Sequence, residues 1–388
     1  VALDVGGPTS HTAILLRSFG RPAVVGLGNL SGVVSGGDLV IIDGSHNMVI
    51  ADPDEATLAE YQAKRASFGR LADELVQLRD QPSVTQDGVA VQLMANIEYP
   101  PEAKISIEKG AEGVGLYRTE FIFLGGNQPD EEEQTRIYRE AIEGMDGRPV
   151  TIRTFDLGAD KCTQERAVDP ERNPMLGNRS IRYSLQNLEM FKTQLRAILR
   201  AATAGKVRLM FPLLTSLTEL RQAKMTVRDA MEDLEEAGVA FERDIEVGMM
   251  METPAAAGQC RQFAQEVAFV SIGTNDLIQY LLAADRGNEH VSRYYSPTHP
   301  TVLRTLRDII RTCKRQEVDC SLCGEMAGEP IYTLLLIGLG LRSLSMAPNN
   351  IPEIKKLIRA CTVAKAERVA RRALTYDTDQ QVLNYLRS

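Results

Sequence analysis

Residues 245–277 read IEVGMMMETPAAAGQCRQFAQEVAFVSIGTNDL. Two short apolar runs, IEVGMMME (245–252) and VAFVSIG (267–273), flank a segment of helical composition. The first run ends in Glu252, and the second is followed at once by Asn275 and Asp276. Strand, helix and strand with a polar group at each strand's carboxyl end is the repeating unit of an α/β protein that does its chemistry at that end of the sheet.

The same alternation extends outward in both directions. Further strand candidates are VQLMANI (91–97), EGVGLY (112–117), PVTIRTFD (149–156), VRLMFPL (207–213), VDCSLCG (318–324) and RSLSMA (342–347). Helical runs such as VRDAMEDLEEAG (227–238) and TVLRTLRDIIRTCKRQ (301–316) lie between them. Eight strands alternating with helices predict a (β/α)8 TIM-type barrel over 88–388 rather than an open doubly wound sheet. One long excursion, 157–206, carries a polar loop and the helical run FKTQLRAILRAA. Residues 1–51 are rich in Gly and β-branched residues, with short strands in PAVVG, DLVIID and NMVIA, and read as part of a small α/β domain. The charged stretch 52–87, with Leu58, Tyr61, Leu71, Leu75 and Leu78 near helical spacing, reads as a helical linker. The chain opens on Val1 in what looks like the middle of a strand-to-loop transition, so the expectation is the downstream part of a longer protein.

Composition narrows the function classes. Of 388 residues 44% are hydrophobic and 25% charged, as in ordinary soluble enzymes. A net charge of −8 argues against a surface for nucleic acid or anionic membrane, so an anionic ligand has to be held by a local cluster of arginines. No apolar run is long enough to span a bilayer and no leader opens the chain. The six cysteines (Cys162, Cys260, Cys313, Cys320, Cys323 and Cys361) form no paired framework, which fits a reducing, cytoplasmic setting. Cys320 and Cys323 have CxxC spacing, but strand alternation points them to opposite faces.

The strand ends carry a consistent chemistry. Arg118, Arg153, Glu252, Asn275, Asp276 and Cys323 stand at or just beyond them, and the loops add Arg179 and Arg286. Glu252 and Asp276 on adjacent strands can hold a hard cation such as Mg2+ through carboxylate oxygens; the plainer alternative is that each caps a helix or pairs with an arginine. The four arginines make a planar, bidentate nest for a ligand bearing phosphate and carboxylate. Cys323 is either an inert buried thiol or an acid that delivers a proton to carbon. His11 lies in GGPTSHT, just before a helical run, where free amide groups would stabilise a phosphoryl group on its imidazole. His46, His290 and His299 have no comparable context.

At these residues the sequence resembles the phosphoenolpyruvate-protein phosphotransferase family, Enzyme I of the bacterial phosphotransferase systems. GGPTSHTAILLRSFGRPAVVG is similar to its phosphohistidine segment; GVGLYRTEF, IRTFDLGADK, NPMLGNRSIR, METPAAA, SIGTNDLIQY, ADRGN and LCGEMAGEP are similar to its barrel motifs, in the same order. The resemblance implies a swivelling phosphohistidine domain ahead of the barrel and a chain that phosphorylates His11 from phosphoenolpyruvate. It implies Glu252 and Asp276 as magnesium ligands, Arg118, Arg153, Arg179, Asn275 and Arg286 as substrate ligands, and Cys323 as the proton donor to the enolate. It also implies a homodimer joined through the barrel and an HPr-type phosphocarrier as acceptor, whose docking subdomain would lie upstream. Pyruvate phosphate dikinase and phosphoenolpyruvate synthase share the barrel. Thr12, where those enzymes usually have alanine, and Met326-Ala327, where they tend to have His-Gly, favour the phosphotransferase. RLMFPLLTSLTEL and LLIGLGLRSLSMAPNNIPEIKKLIR look closer to the nitrogen-related paralogue than to the sugar-linked one. Two rivals are a lyase acting beside a pyruvate enolate, which has no use for GGPTSHT, and a module that senses phosphoenolpyruvate without turnover.

Overall fold

The computed structural model of the chain describes residues 1–5, 22–44, 46–123, 129–157, 171–288 and 290–388, with backbone alone over 66–76. The chain divides into two units, Val1–Asp80 and Gln81–Ser388.

In the first unit β1 (Ala2–Leu3) pairs in parallel with β2 (Val24–Val25). β3 (Val40–Asp43) pairs antiparallel with β4 (Met48–Ala51). The β-branched run Val40-Ile41-Ile42 favours extended backbone. The connection passes through Asn47 at φ 51°, a left-handed conformation that asparagine tolerates. The helix Glu55–Gln77 follows, and Asp54 accepts a hydrogen bond from the Thr57 amide at 2.7 Å to cap its first turn.

The second unit is a closed, wholly parallel eight-stranded barrel. Its strands are β5 (Gln92–Ile97), β6 (Val114–Arg118), β7 (Val150–Arg153), β8 (Val207–Phe211), β9 (Glu246–Met251), β10 (Phe269–Ile272), β11 (Asp319–Leu322) and β12 (Ser343–Met346). Neighbours follow sequence order, and β12 returns to β5. All eight strand candidates become barrel strands. The joint between β11 and β12 is the slightest, a single registered pair of Leu322 with Leu344.

Period-two alternation sorts the side chains into two cores. Leu209 and Phe211 of β8, with Met249 and Met251 of β9, pack among the surrounding helices. Met210 and Met250 point the other way and join Leu116, Phe269 and Cys323 inside the barrel. Cys320 packs against the outer core while Cys323 belongs to the inner one, so the CxxC pair does divide between faces.

The helices are amphipathic and capped where the sequence signals it. Leu217–Glu236 starts on a capping box formed by Ser216 and Glu219. Pro300–Arg315 buries Val302, Leu303, Leu306, Ile309, Ile310 and Cys313 along one face. Thr333–Leu339 meets Val363–Ala373 at Gly338, where an added Cβ would lie 2.0 Å from the Ala366 carbonyl oxygen. Among the described residues no helix is long and apolar enough to cross a membrane.

Candidate active site

The carboxyl ends of the barrel strands gather a buried network of charge. Arg153 closes β7 and makes ion pairs with Asp156 at 2.7 Å and Glu120 at 2.5 Å. Asp156 spends its second oxygen on Arg179 at 2.9 Å, and the same guanidinium nitrogen of Arg179 lies 3.1 Å from Asp276. The other terminal nitrogen of Arg179 donates to the Tyr280 hydroxyl at 3.2 Å. Glu252, one residue past β9, accepts the Leu213 amide at 2.6 Å. Leu213 sits at φ 51°, a conformation costly for a leucine, and thereby aims its N–H at that carboxylate. Ser180, beside Arg179, is likewise held at φ 59°.

Charge does not balance within this network. Four buried carboxylates, of Glu120, Asp156, Glu252 and Asp276, face two buried guanidiniums, of Arg153 and Arg179. The consequences differ by position. Burial alone would raise Asp156, but Arg153 and Arg179 outweigh it and hold the carboxyl well below the usual range. Burial, reinforced by Asp276 and Asp156, pushes Glu252 well above it. Glu120 is also raised, chiefly by burial and against the pull of Arg153.

A hard cation would relieve that imbalance, and the donor set suits one. Carboxylate oxygens of Asp156, Glu252 and Asp276 all lie within 4.8 Å of one another. The Oδ1 of Asp276 is buried without a hydrogen-bond partner. Oxygen-only donors of this kind match a hard divalent ion rather than a soft one. Gly273 keeps the approach open, since a Cβ there would come 2.8 Å from the Glu252 Oε2. Of the alternatives set by the sequence, the arginine pair is present at Asp276, through Oδ2 to Arg179, and it leaves Oδ1 without a hydrogen-bond partner.

The other described candidates stand at the same strand ends or the loops beyond them. Arg118 closes β6 and pairs with Glu98 at 2.8 Å. Cys323 is 2% exposed, packed on Leu116, Met210, Met250 and Phe269. Burial raises its thiol pKa, aided by Glu252 and opposed by Ser271, Arg153 and Arg118. Its backbone is fixed by Asn96, whose amide donates to the Cys323 carbonyl at 2.9 Å and accepts from the Ser345 hydroxyl at 2.7 Å. Asn275 and Arg286 are not joined to the buried network by an ion pair; both meet Glu325 at the exposed rim. His11 lies outside the described residues.

Sequence reading singled out neither Asp156, which bridges the two buried arginines, nor Glu120, which pairs with Arg153. Their signal was present: Asp156 stands three residues after Arg153 and Glu120 two after Arg118, each just past a strand end. A closed barrel with buried guanidiniums and converging carboxylates at its strand ends defines a barrel enzyme whose strand ends suit a polyanionic substrate. Residues 72–363 match the family model described as PEP-utilising enzyme, PEP-binding domain, and residues 1–47 the PEP-utilising enzyme, mobile domain. The phosphoenolpyruvate-protein phosphotransferase of Geobacillus stearothermophilus is 43% identical over 387 residues, 100% of this chain and 67% of that protein. That of Bacillus subtilis is 42% identical over 385 residues, 99% of this chain and 68% of that protein. The chain belongs to the phosphoenolpyruvate-protein phosphotransferase family, and that reading holds over the dikinase one. Among solved structures, a citrate lyase from Burkholderia xenovorans aligns over 77% of this chain and 91% of that chain at 14% identity, with a TM-score of 0.45, too low to bear on the reaction.

Proposed function

We propose that this chain moves the phosphoryl group of phosphoenolpyruvate onto His11, releases pyruvate, and passes the group to an HPr-type phosphocarrier. The observation that carries the reading is the convergence of Arg153, Arg179, Asp156, Glu252 and Asp276 at the strand ends of a phosphoenolpyruvate-utilising family's barrel.

The substrate carries about three negative charges at neutral pH, on its phosphate and carboxylate. Arg118, Arg153, Arg179 and Arg286 offset them, and Asn275 adds a neutral donor to the phosphate. Glu252 and Asp276, with Asp156 beside them, would hold Mg2+, which supplies Lewis-acid charge to substrate oxygens when bound. Fixed cations help most where phosphoryl transfer spreads charge over the equatorial oxygens. The neutral His11 imidazole attacks phosphorus; a nitrogen–phosphorus bond forms as the bond to the enol oxygen breaks. The electron pair stays with the departing enolate. Cys323, kept protonated by its burial, gives its proton to the methylene carbon, completing pyruvate, and recovers a proton from solvent.

His11 must reach the barrel and afterwards its acceptor, which assigns a hinge to residues 51–87. Cytoplasmic location, a homodimer through the barrel and membership of a nitrogen-related system complete the reading. The test is mass spectrometry of the protein after incubation with phosphoenolpyruvate, with and without Mg2+. One acid-labile phosphoryl group should appear on His11, only with the metal, and be missing from His11→Ala; phosphate on another residue overturns the assignment.

A further inference from the structure

Glu325 follows Cys323-Gly324 and is the meeting point of Asn275, in the first turn of the helix Thr274–Leu282, and Arg286, in the loop after that helix. Its backbone N–H donates to the Asn275 Oδ1 at 3.0 Å. The Asn275 Nδ2 donates in turn to the Glu325 Oε1 at 3.2 Å, and the Arg286 Nη1 lies 3.4 Å from that same oxygen. The backbone N–H can pair only with the amide oxygen, so the assignment of Nδ2 toward the carboxylate is fixed by chemistry. Gly324 lets its segment come this close to the start of that helix: a Cβ there would sit 1.8 Å from the Thr274 Oγ1 and 2.8 Å from the Thr274 amide nitrogen.

One carboxylate oxygen thus occupies two of the donors that the proposed function assigns to the anionic substrate, Asn275 and Arg286. From this arrangement we infer that Glu325 is a positioning residue, an internal stand-in for the phosphate that holds Asn275 and Arg286 in readiness and yields them when the substrate arrives. This rests on the reading of the site given above. The two halves of the contact have different roles. The backbone tie stays and keeps the Asn275 Nδ2 turned toward the ligand, while the side chain swings away. The swing is easy because the Glu325 side chain is 69% exposed and that of Arg286 42%, so the charged head moves into water. A free carboxylate left beside the incoming dianion opposes it, so Glu325 sets the affinity for the anion rather than the chemistry.

The test compares the wild type with Glu325→Gln, which keeps the length and the acceptor oxygen but removes the charge. Two constants are read: KM for phosphoenolpyruvate in His11 phosphorylation and Kd for inorganic phosphate by calorimetry. Both should fall by about two- to five-fold, the range of an exposed ion pair. The change should appear in KM with kcat moved by less than about two-fold, and the thermal midpoint should be unaltered, which a merely structural residue would not combine. Unchanged constants overturn the inference and leave Glu325 a surface residue. A raised KM overturns it too, since the carboxylate then assists binding. A wild type without phosphoenolpyruvate-dependent phosphorylation is the failure of the functional reading, and in that case the phosphate titration by itself decides the role of Glu325.

Discussion

At the residue level, Cys323 combines deep burial with a place beside charged groups. Its thiol is packed on Leu116, Met210, Met250 and Phe269, and burial raises its pKa, so it is held as the acid and not as the nucleophilic thiolate. That suits proton delivery to carbon. Cys323→Ala should cost about 1 kcal/mol of stability through lost packing. Pyruvate formation should nonetheless fall by about 100- to 10,000-fold, the usual price of a lost general acid. Phosphoenolpyruvate binding should persist because the arginines are untouched. Stereoselective deuterium incorporation into the pyruvate methyl group is the measurement, and wild-type rates with equal stereoselectivity would reduce Cys323 to packing. Cys323, Arg153, Glu252 and Asp276 were legible as strand-end residues, because the alternation of strand and helix tells where a barrel strand stops. Asp156 and Glu120 were not: an acid near an arginine in sequence is usually a solvated pair, and only the fold shows both buried, Asp156 between the two guanidiniums and Glu120 against Arg153.

Among the elements, the helix pair Thr333–Leu339 and Val363–Ala373 depends on a missing side chain. Gly338 lets the backbones touch, and a Cβ would come 2.0 Å from the Ala366 oxygen and 2.5 Å from its carbonyl carbon. Neither atom can rotate away. Gly338→Ala should therefore destabilise the barrel unit by about 1–3 kcal/mol, the range for overpacking, despite alanine's better helix propensity. Chemical denaturation reads this directly, and an equal or higher midpoint would mean that the helices part freely. The strands of the barrel could be read because each is a short apolar run set off by turn residues. Helix interruptions were harder. The segment after Glu252 is two short helices, Pro254–Gly258 and Cys260–Ala264, and the excursion after β7 carries Ile181–Gln186 and Leu188–Ala201 as separate helices. Such breaks are set by packing against neighbouring elements, to which local propensity is blind.

On the scale of the whole molecule, the division into Val1–Asp80 and Gln81–Ser388 gives each unit its own task under the proposed function: one carries the phosphoryl group and the other generates it. The barrel has no free edge, since each strand is paired on both sides. Its closure is uneven, however. β10 and β11 share four registered pairs, from Phe269 with Asp319 to Ile272 with Leu322, whereas β11 and β12 share the one between Leu322 and Leu344. A cylinder of parallel strands opens first along its slackest line, and transient opening is what admits solvent deuterium to backbone amides. In a hydrogen-exchange time course, amides of 343–346 should therefore lose protection before those of 269–272. β11 leads directly into Cys323 and Glu325, so the barrel would breathe beside the thiol to which the proposed function gives the proton transfer.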